Sequence, residues 1–180
     1  MAVHIALLRA VNLPSHGQVA MPELRKLIES LGFGRVRSLL NSGNLVFSSD
    51  GAPGEELEGL LERETARHLD LPTEYLVRGE DEWASAIAEN PLPAEAERDP
   101  SHLLVMFLKA APELARLEAL RAAVAGPEVI AAGSRHLYIT YPAGIGRSKL
   151  TSALIESKLG TRGTGRNWNT VLKLQALASE

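Results

Sequence analysis

The chain has 180 residues, 45% of them apolar and 23% charged, with 15 glycines, 10 prolines and no cysteine. This is ordinary globular usage, enough for one medium domain or two small ones, and it rules out a disulfide framework and a thiolate metal site. The net charge of −3 is unevenly spread: residues 1–49 balance at +3, 50–100 at −11, 101–132 at zero and 133–180 at +5. Two basic ends around an acidic middle can present positive surfaces to an anion, or the acidic run can simply be the solvated face of a helix.

Residues 3–9, apolar on both faces apart from His4, predict a central strand. After a polar loop over 10–20, Pro22 opens a helix with Leu24, Leu27, Ile28 and Leu31, stopped at Gly32. Short strands at 36–40 and 45–47 flank Asn41-Ser42-Gly43-Asn44, a hairpin turn by residue type. A helix over about 54–69 and a strand over 74–77 complete β-α-β-β-α-β, the ferredoxin-like order. A helix near Trp83 and the prolines 91, 93 and 100 then mark a linker.

The pattern restarts at residue 102. A strand over 102–109, a helix opened by Pro112, paired strands at 129–130 and 137–141, and a helical stripe of Leu150, Leu154, Ile155 and Leu159 follow in turn. The last segment reads as a terminal helix over about 167–179, standing in place of a sixth element. The expected fold is therefore α+β, with duplicated ferredoxin-like β-α-β-β-α(-β) units and a C-terminal helix. Its divisions are 1–79, a helix and proline-rich linker over 80–101, and 102–180.

Three polar clusters are candidate binding sites. Chain direction brings the loop after the first strand to the same sheet end as the hairpin turn. Arg9 and Asn12, with Ser15 and His16, therefore come near Asn41, Ser42 and Asn44. The second cluster, Gly144 to Lys149, carries Arg147, Ser148 and Lys149, with Ser148 as a helix N-cap that could sit beside a bound anion. The third, Arg162 to Thr170, carries Arg166, Asn167 and Asn169 around Trp168, which either packs inward or stacks on a ring. Turn geometry and capping account for many of these residues equally well.

No Walker loop, G-x-G-x-x-G or G-x-S-x-G pattern occurs, and the five histidines lack ligand spacing, so neither a cofactor nor a metal is expected. The favoured partner is an anionic, phosphate-bearing small molecule or nucleotide. Nucleic acid comes second, given a pI near 6.0 and 4% aromatics. An enzyme using carboxylate or histidine acid–base chemistry, with His16 as the named candidate, is the third reading. No membrane segment or secretory signal is visible, which suggests a cytoplasmic protein of open oligomeric state.

Ala6-Leu7-Leu8-Arg9-Ala10-Val11-Asn12, Met21-Pro22-Glu23-Leu24-Arg25, Leu31-Gly32-Phe33, Asn41 to Phe47 and Arg166 to Val171 occur together over nearly the whole chain. In that combination the sequence resembles the bacterial domain of unknown function family 1697. The resemblance implies a duplicated α+β fold of the ferredoxin-like kind and no established activity, substrate or catalytic residue. The chain departs from the family's usual glycines at Ala10 and Ser15, so a backbone anion site in that loop, if relatives have one, does not carry over unchanged.

Overall fold

The computed structural model describes residues 1–9, 20–39 and 43–180. These form an α+β structure with two four-stranded antiparallel sheets and seven α-helices. The chain divides into two compact units, Met1–Ser85 with Lys173–Glu180, and Ala86–Leu172.

In the first unit the elements run β1 (Ala2–Arg9), α1 (Met21–Ser30), β2 (Gly34–Leu39), β3 (Asn44–Ser49), α2 (Gly54–Leu69), β4 (Glu74–Gly79) and α3 (Glu80–Ala88). The sheet order is β2-β3-β1-β4, so β1 is interior, as its two apolar faces predict. It pairs antiparallel with both neighbours, Ala6 lying opposite Leu45 on one side and Val77 on the other. Alternation sends Ala6, Leu8, Leu45, Phe47, Tyr75 and Val77 to one face, where Leu24 and Ile28 of α1 and Leu57 and Leu61 of α2 join them in one core.

The acidic run is more than a solvated face. Glu55 and Glu56 are exposed, but Glu58 is buried. One turn apart on α2, the Glu58 and Glu62 carboxylates accept the backbone N–H groups of Val77 (2.8 Å) and Tyr75 (2.9 Å). Those N–H groups belong to β4, an edge strand, so α2 closes an edge that would otherwise offer unpaired donors. Glu58 also lies 3.8 Å from the guanidinium of Arg78, which is 1% exposed.

His4 is a second buried polar group of this unit. Its Nε2 hydrogen-bonds the Ser49 hydroxyl at 2.8 Å, and burial pushes its imidazole below the ordinary value of 6.5. The unfolded chain takes up that proton near pH 6.5 while the folded one resists it, so stability falls as pH drops from about 6.5 towards the lowered folded value. Melting temperatures from about pH 7.5 to 5 are expected to fall less steeply for His4→Gln than for the unsubstituted protein. Parallel curves would show that His4 does not titrate in this way.

The second unit holds α4 (Pro93–Arg98), β5 (Leu103–Leu108), α5 (Leu114–Ala123), β6 (Val129–Ala132), β7 (His136–Thr140), α6 (Ser152–Leu159), β8 (Gly163–Asn167) and the start of α7 (Trp168–Ala178). Short 3₁₀ turns occupy 100–102 and 145–147. The sheet order is β6-β7-β5-β8. Met106, Leu108, Leu137, Ile139 and Tyr141 share one core with Leu120, Ile155 and Leu159.

Strand β8 corrects the expectation that a helix replaces the last strand. Gly163-Thr164-Gly165-Arg166-Asn167 has neither apolar alternation nor strand propensity, because its place in the sheet rests on backbone pairing with β5. Its glycines answer a close approach. A Cβ on Gly163 would lie 2.5 Å from the Phe107 carbonyl oxygen, and one on Gly165 2.7 Å from the Leu104 side chain. Leu114, at the start of α5, is 72% exposed. Among the described residues no helix is long and apolar enough to cross a membrane.

Candidate functional site

At the expected site of the first sheet, Asn12, Asn41 and Ser42 lie outside the described residues. Leu7 stands opposite Asn44, and the Leu8 N–H bonds the Gly43 carbonyl at 2.9 Å, so β1 ends where β3 begins. Arg9 sits opposite Glu74 in the β1–β4 register, its guanidinium 3.8 Å from that carboxylate. Asn44, a candidate for binding, is closed off from a ligand. It is completely buried, and its side-chain amide donates to the Leu39 carbonyl at 2.9 Å. That bond closes the β2–β3 connection from within, a structural task that a turn asparagine performs readily.

The third cluster is taken apart by the backbone. Arg166 lies on β8 opposite Val105 and donates to the Thr164 hydroxyl (2.8 Å) and the Gly165 carbonyl (2.9 Å). Burial pushes its guanidinium down to about 10, which leaves it charged at neutral pH. Asn167 is the N-cap of α7, its side-chain oxygen accepting the Thr170 N–H at 3.0 Å. Trp168 is buried, the inward of its two readings, while Asn169 is exposed on the first helical turn.

The second cluster is held together, though not at a helix start. Residues 145–147 form a 3₁₀ turn, and the N-cap of α6 is Thr151, whose side chain accepts the Leu154 N–H. Ser148 is therefore not a cap. Its hydroxyl donates to the Glu128 carboxylate and accepts the Leu150 N–H at 3.0 Å, which ties the loop to the start of β6. Between the two segments lies a cleft of about 230 Å³, lined by Gly126, Glu128, Tyr141, Arg147, Ser148 and Lys149 among others. Arg147 and Lys149 are exposed. Gly144, at φ 90°, makes the turn that carries them. Tyr141 is buried, donates to the Leu150 carbonyl at 2.9 Å and is pushed up to about 12 by burial and by the charge of Glu128. It is a fixed wall and stays un-ionised at neutral pH.

Tyr141 and Pro127 also line a neighbouring cleft of about 230 Å³. Residues that the sequence reading passed over stand there, namely Glu95, Arg98, Asp99 and His102. The i,i+3 spacing of Asp99 and His102 is their only trace in the sequence, and Pro100 between them argued for a linker. Three basic residues also meet by backbone at the far end of β5. The Leu108 N–H bonds the Arg135 carbonyl (2.9 Å) and the Lys109 N–H bonds that of Arg162 (2.8 Å). They are 26 to 53 positions apart in sequence, so only strand pairing brings them together. Among the described residues no group of three or more His, Cys, Asp or Glu could hold a metal ion.

The fold is similar to that of the conserved bacterial protein SP0830 from Streptococcus pneumoniae, with a TM-score of 0.77 over 98% of both chains at 21% identity. At that identity the likeness concerns the fold alone. No curated protein matches the sequence. The family model for "Protein of unknown function (DUF1697)" matches residues 1–138, which hold four of the five motifs of the resemblance and stop short of Arg166 to Val171. The match spans well over half of the chain, from β1 into β7, and the protein therefore belongs to the DUF1697 family.

Proposed function

We propose that the protein binds a small phosphate-bearing molecule in the cleft between the Gly126–Glu128 and Gly144–Lys149 segments. The observation that carries this reading is the exposure of Arg147 and Lys149 together on one concave site. Two cations two residues apart, on a turn pinned by the Ser148–Glu128 bond, are held near one another before a ligand arrives, so less side-chain freedom is lost on binding. A volume of about 230 Å³ suits a sugar phosphate or a mononucleotide fragment better than a dinucleotide. Glu128, bonded to Ser148 between the two cations, disfavours a second anionic group in the cleft, so the ligand carries a single phosphate held by Arg147 and Lys149.

A thermal-shift series with inorganic phosphate, sugar phosphates, mononucleotides and a short single-stranded RNA tests the reading. A ligand at about 100 times its dissociation constant adds about 2.7 kcal/mol to the native state. The expected result is a shift with a phosphate-bearing small molecule that disappears in the Arg147→Ala/Lys149→Ala double variant, whose unliganded melting point is unchanged. A shift that survives both substitutions overturns this site. A shift with RNA alone moves the site to the basic sheet end of Lys109, Arg135 and Arg162.

We also infer that each unit is one copy of a ferredoxin-like β-α-β-β-α-β motif. Three features support the duplication. The strand orders β2-β3-β1-β4 and β6-β7-β5-β8 correspond term by term. Arg78 on β4 stands opposite Ile5 of β1, as Arg166 on β8 stands opposite Val105 of β5. The Gly163 N–H reaches the Glu156 carboxylate of α6 at 3.4 Å, where β4 receives Glu58 and Glu62 of α2.

A further inference from the structure

We propose that Asp99 and His102 form a general acid–base pair that hydrolyses a small carboxylic ester in the second cleft. This inference is independent of the phosphate site. His102 Nδ1 lies 2.8 Å from Asp99 Oδ2. A carboxylate only accepts, so Nδ1 carries the proton and Nε2 keeps the lone pair, which is the tautomer a base requires. The pair is mounted rigidly. The His102 N–H bonds the Asp99 carbonyl at 3.1 Å, the Tyr141 N–H bonds the His102 carbonyl at 2.8 Å, and the Ser101 hydroxyl meets Asp99 Oδ1 at 3.4 Å.

The surroundings set the substrate class. Pro127, Val129 and Pro142 give the cleft an apolar side, and Thr140 and Tyr141 come from β7 and the residue after it. The other charged groups facing it are Glu95 and Arg98 of α4, which pair at 3.2 Å. An uncharged ester with a short apolar acyl group fits such a wall, and the Arg98 guanidinium is the cation available to a developing oxyanion. A turn-closing role alone would explain the hydrogen bond equally. It would not place the pair on a concave site, with both side chains 43% exposed.

The step balances with water as the sole co-reactant. A water molecule gives a proton to His102 Nε2 as its oxygen bonds to the acyl carbon, and the carbonyl becomes an oxyanion beside Arg98. Collapse re-forms the carbonyl and breaks the bond to the alcohol oxygen, which takes the proton back from Nε2. Acid and alcohol leave, and the imidazole is neutral again. Asp99 stabilises the imidazolium formed between the two transfers.

The test uses the full chain with p-nitrophenyl acetate from about pH 5 to 9, beside free N-acetylhistidine at equal concentration. The expected rate exceeds that of the free imidazole. His102→Gln should lower it by about a hundredfold, at the low side of what a positioned base contributes. Asp99→Asn, which removes the carboxylate that stabilises the imidazolium, should lower kcat while leaving KM unchanged, a split that a turn-closing role does not require. Thermal melts of both variants establish that they fold. A wild-type rate no greater than N-acetylhistidine, or an unchanged rate in His102→Gln, overturns the proposal. Turnover of p-nitrophenyl phosphate instead of the acetate overturns the ester assignment.

Discussion

Glu58→Ala is expected to destabilise the protein by about 3–5 kcal/mol, because it leaves the buried Arg78 guanidinium without a carboxylate 3.8 Å away. The same substitution takes the acceptor from the Val77 N–H, a buried edge-strand donor. Glu82 also approaches Arg78, at 3.6 Å, but its side chain is 38% exposed and its charge is screened by water. For a chain of this size the loss corresponds to a melting temperature lower by roughly 10 °C. Glu58→Gln keeps an acceptor for Val77 and removes the charge, so it should fall between the wild type and alanine. Glu55→Ala, on the exposed side of the same helix, should stay within about 0.5 kcal/mol. Equal melting points for Glu55→Ala and Glu58→Ala would refute the buried role.

The second large effect is expected at Gly163. A methyl group there meets the Phe107 carbonyl oxygen at 2.5 Å, and a backbone atom of a paired strand cannot rotate away as a side-chain end can. Gly163→Ala should cost about 1–3 kcal/mol in urea unfolding, and loosen the β5–β8 pairing measured by amide hydrogen exchange at Val105 to Phe107. Gly165→Ala meets the Leu104 side chain, whose ends can turn aside, and should cost clearly less. A Gly165→Ala variant as unstable as Gly163→Ala would show that contact with fixed backbone is not what sets the cost at this edge.

Both predictions concern contacts that local sequence did not announce. Glu58 sits among so many acidic neighbours that its burial is invisible in a charge count. It is singled out by lying on the same side of α2 as Leu57, Leu61 and Thr65, facing an edge strand that needs acceptors. Gly163 and Gly165 read as loop residues because glycine favours loops in general. Here they stand in a strand because the neighbouring backbone leaves no room for a side chain.

The candidate clusters fared according to what held them. Arg147, Ser148 and Lys149 are adjacent in sequence and remain together on a cleft, although Thr151 takes the capping role expected of Ser148. Arg166, Asn167 and Asn169 are equally close in sequence, yet a strand-to-helix junction turns them to three separate tasks. Asn44, expected in the binding cluster at the sheet end, is buried, and its amide donates to the Leu39 carbonyl.

Legible in the residues alone were the α+β class, the interior place of β1 and most element positions. These follow from apolar periodicity and from proline and glycine punctuation, which act over a few residues. Tertiary structure alone decided that β8 is a strand, that Glu58 pairs with Arg78, and that Asp99 and His102 share a cleft with Thr140 and Tyr141. Each of these depends on a partner at least 19 positions away along the chain. Local propensity carries no information about such a partner, and the pairing energy of the sheet is what brings it into reach.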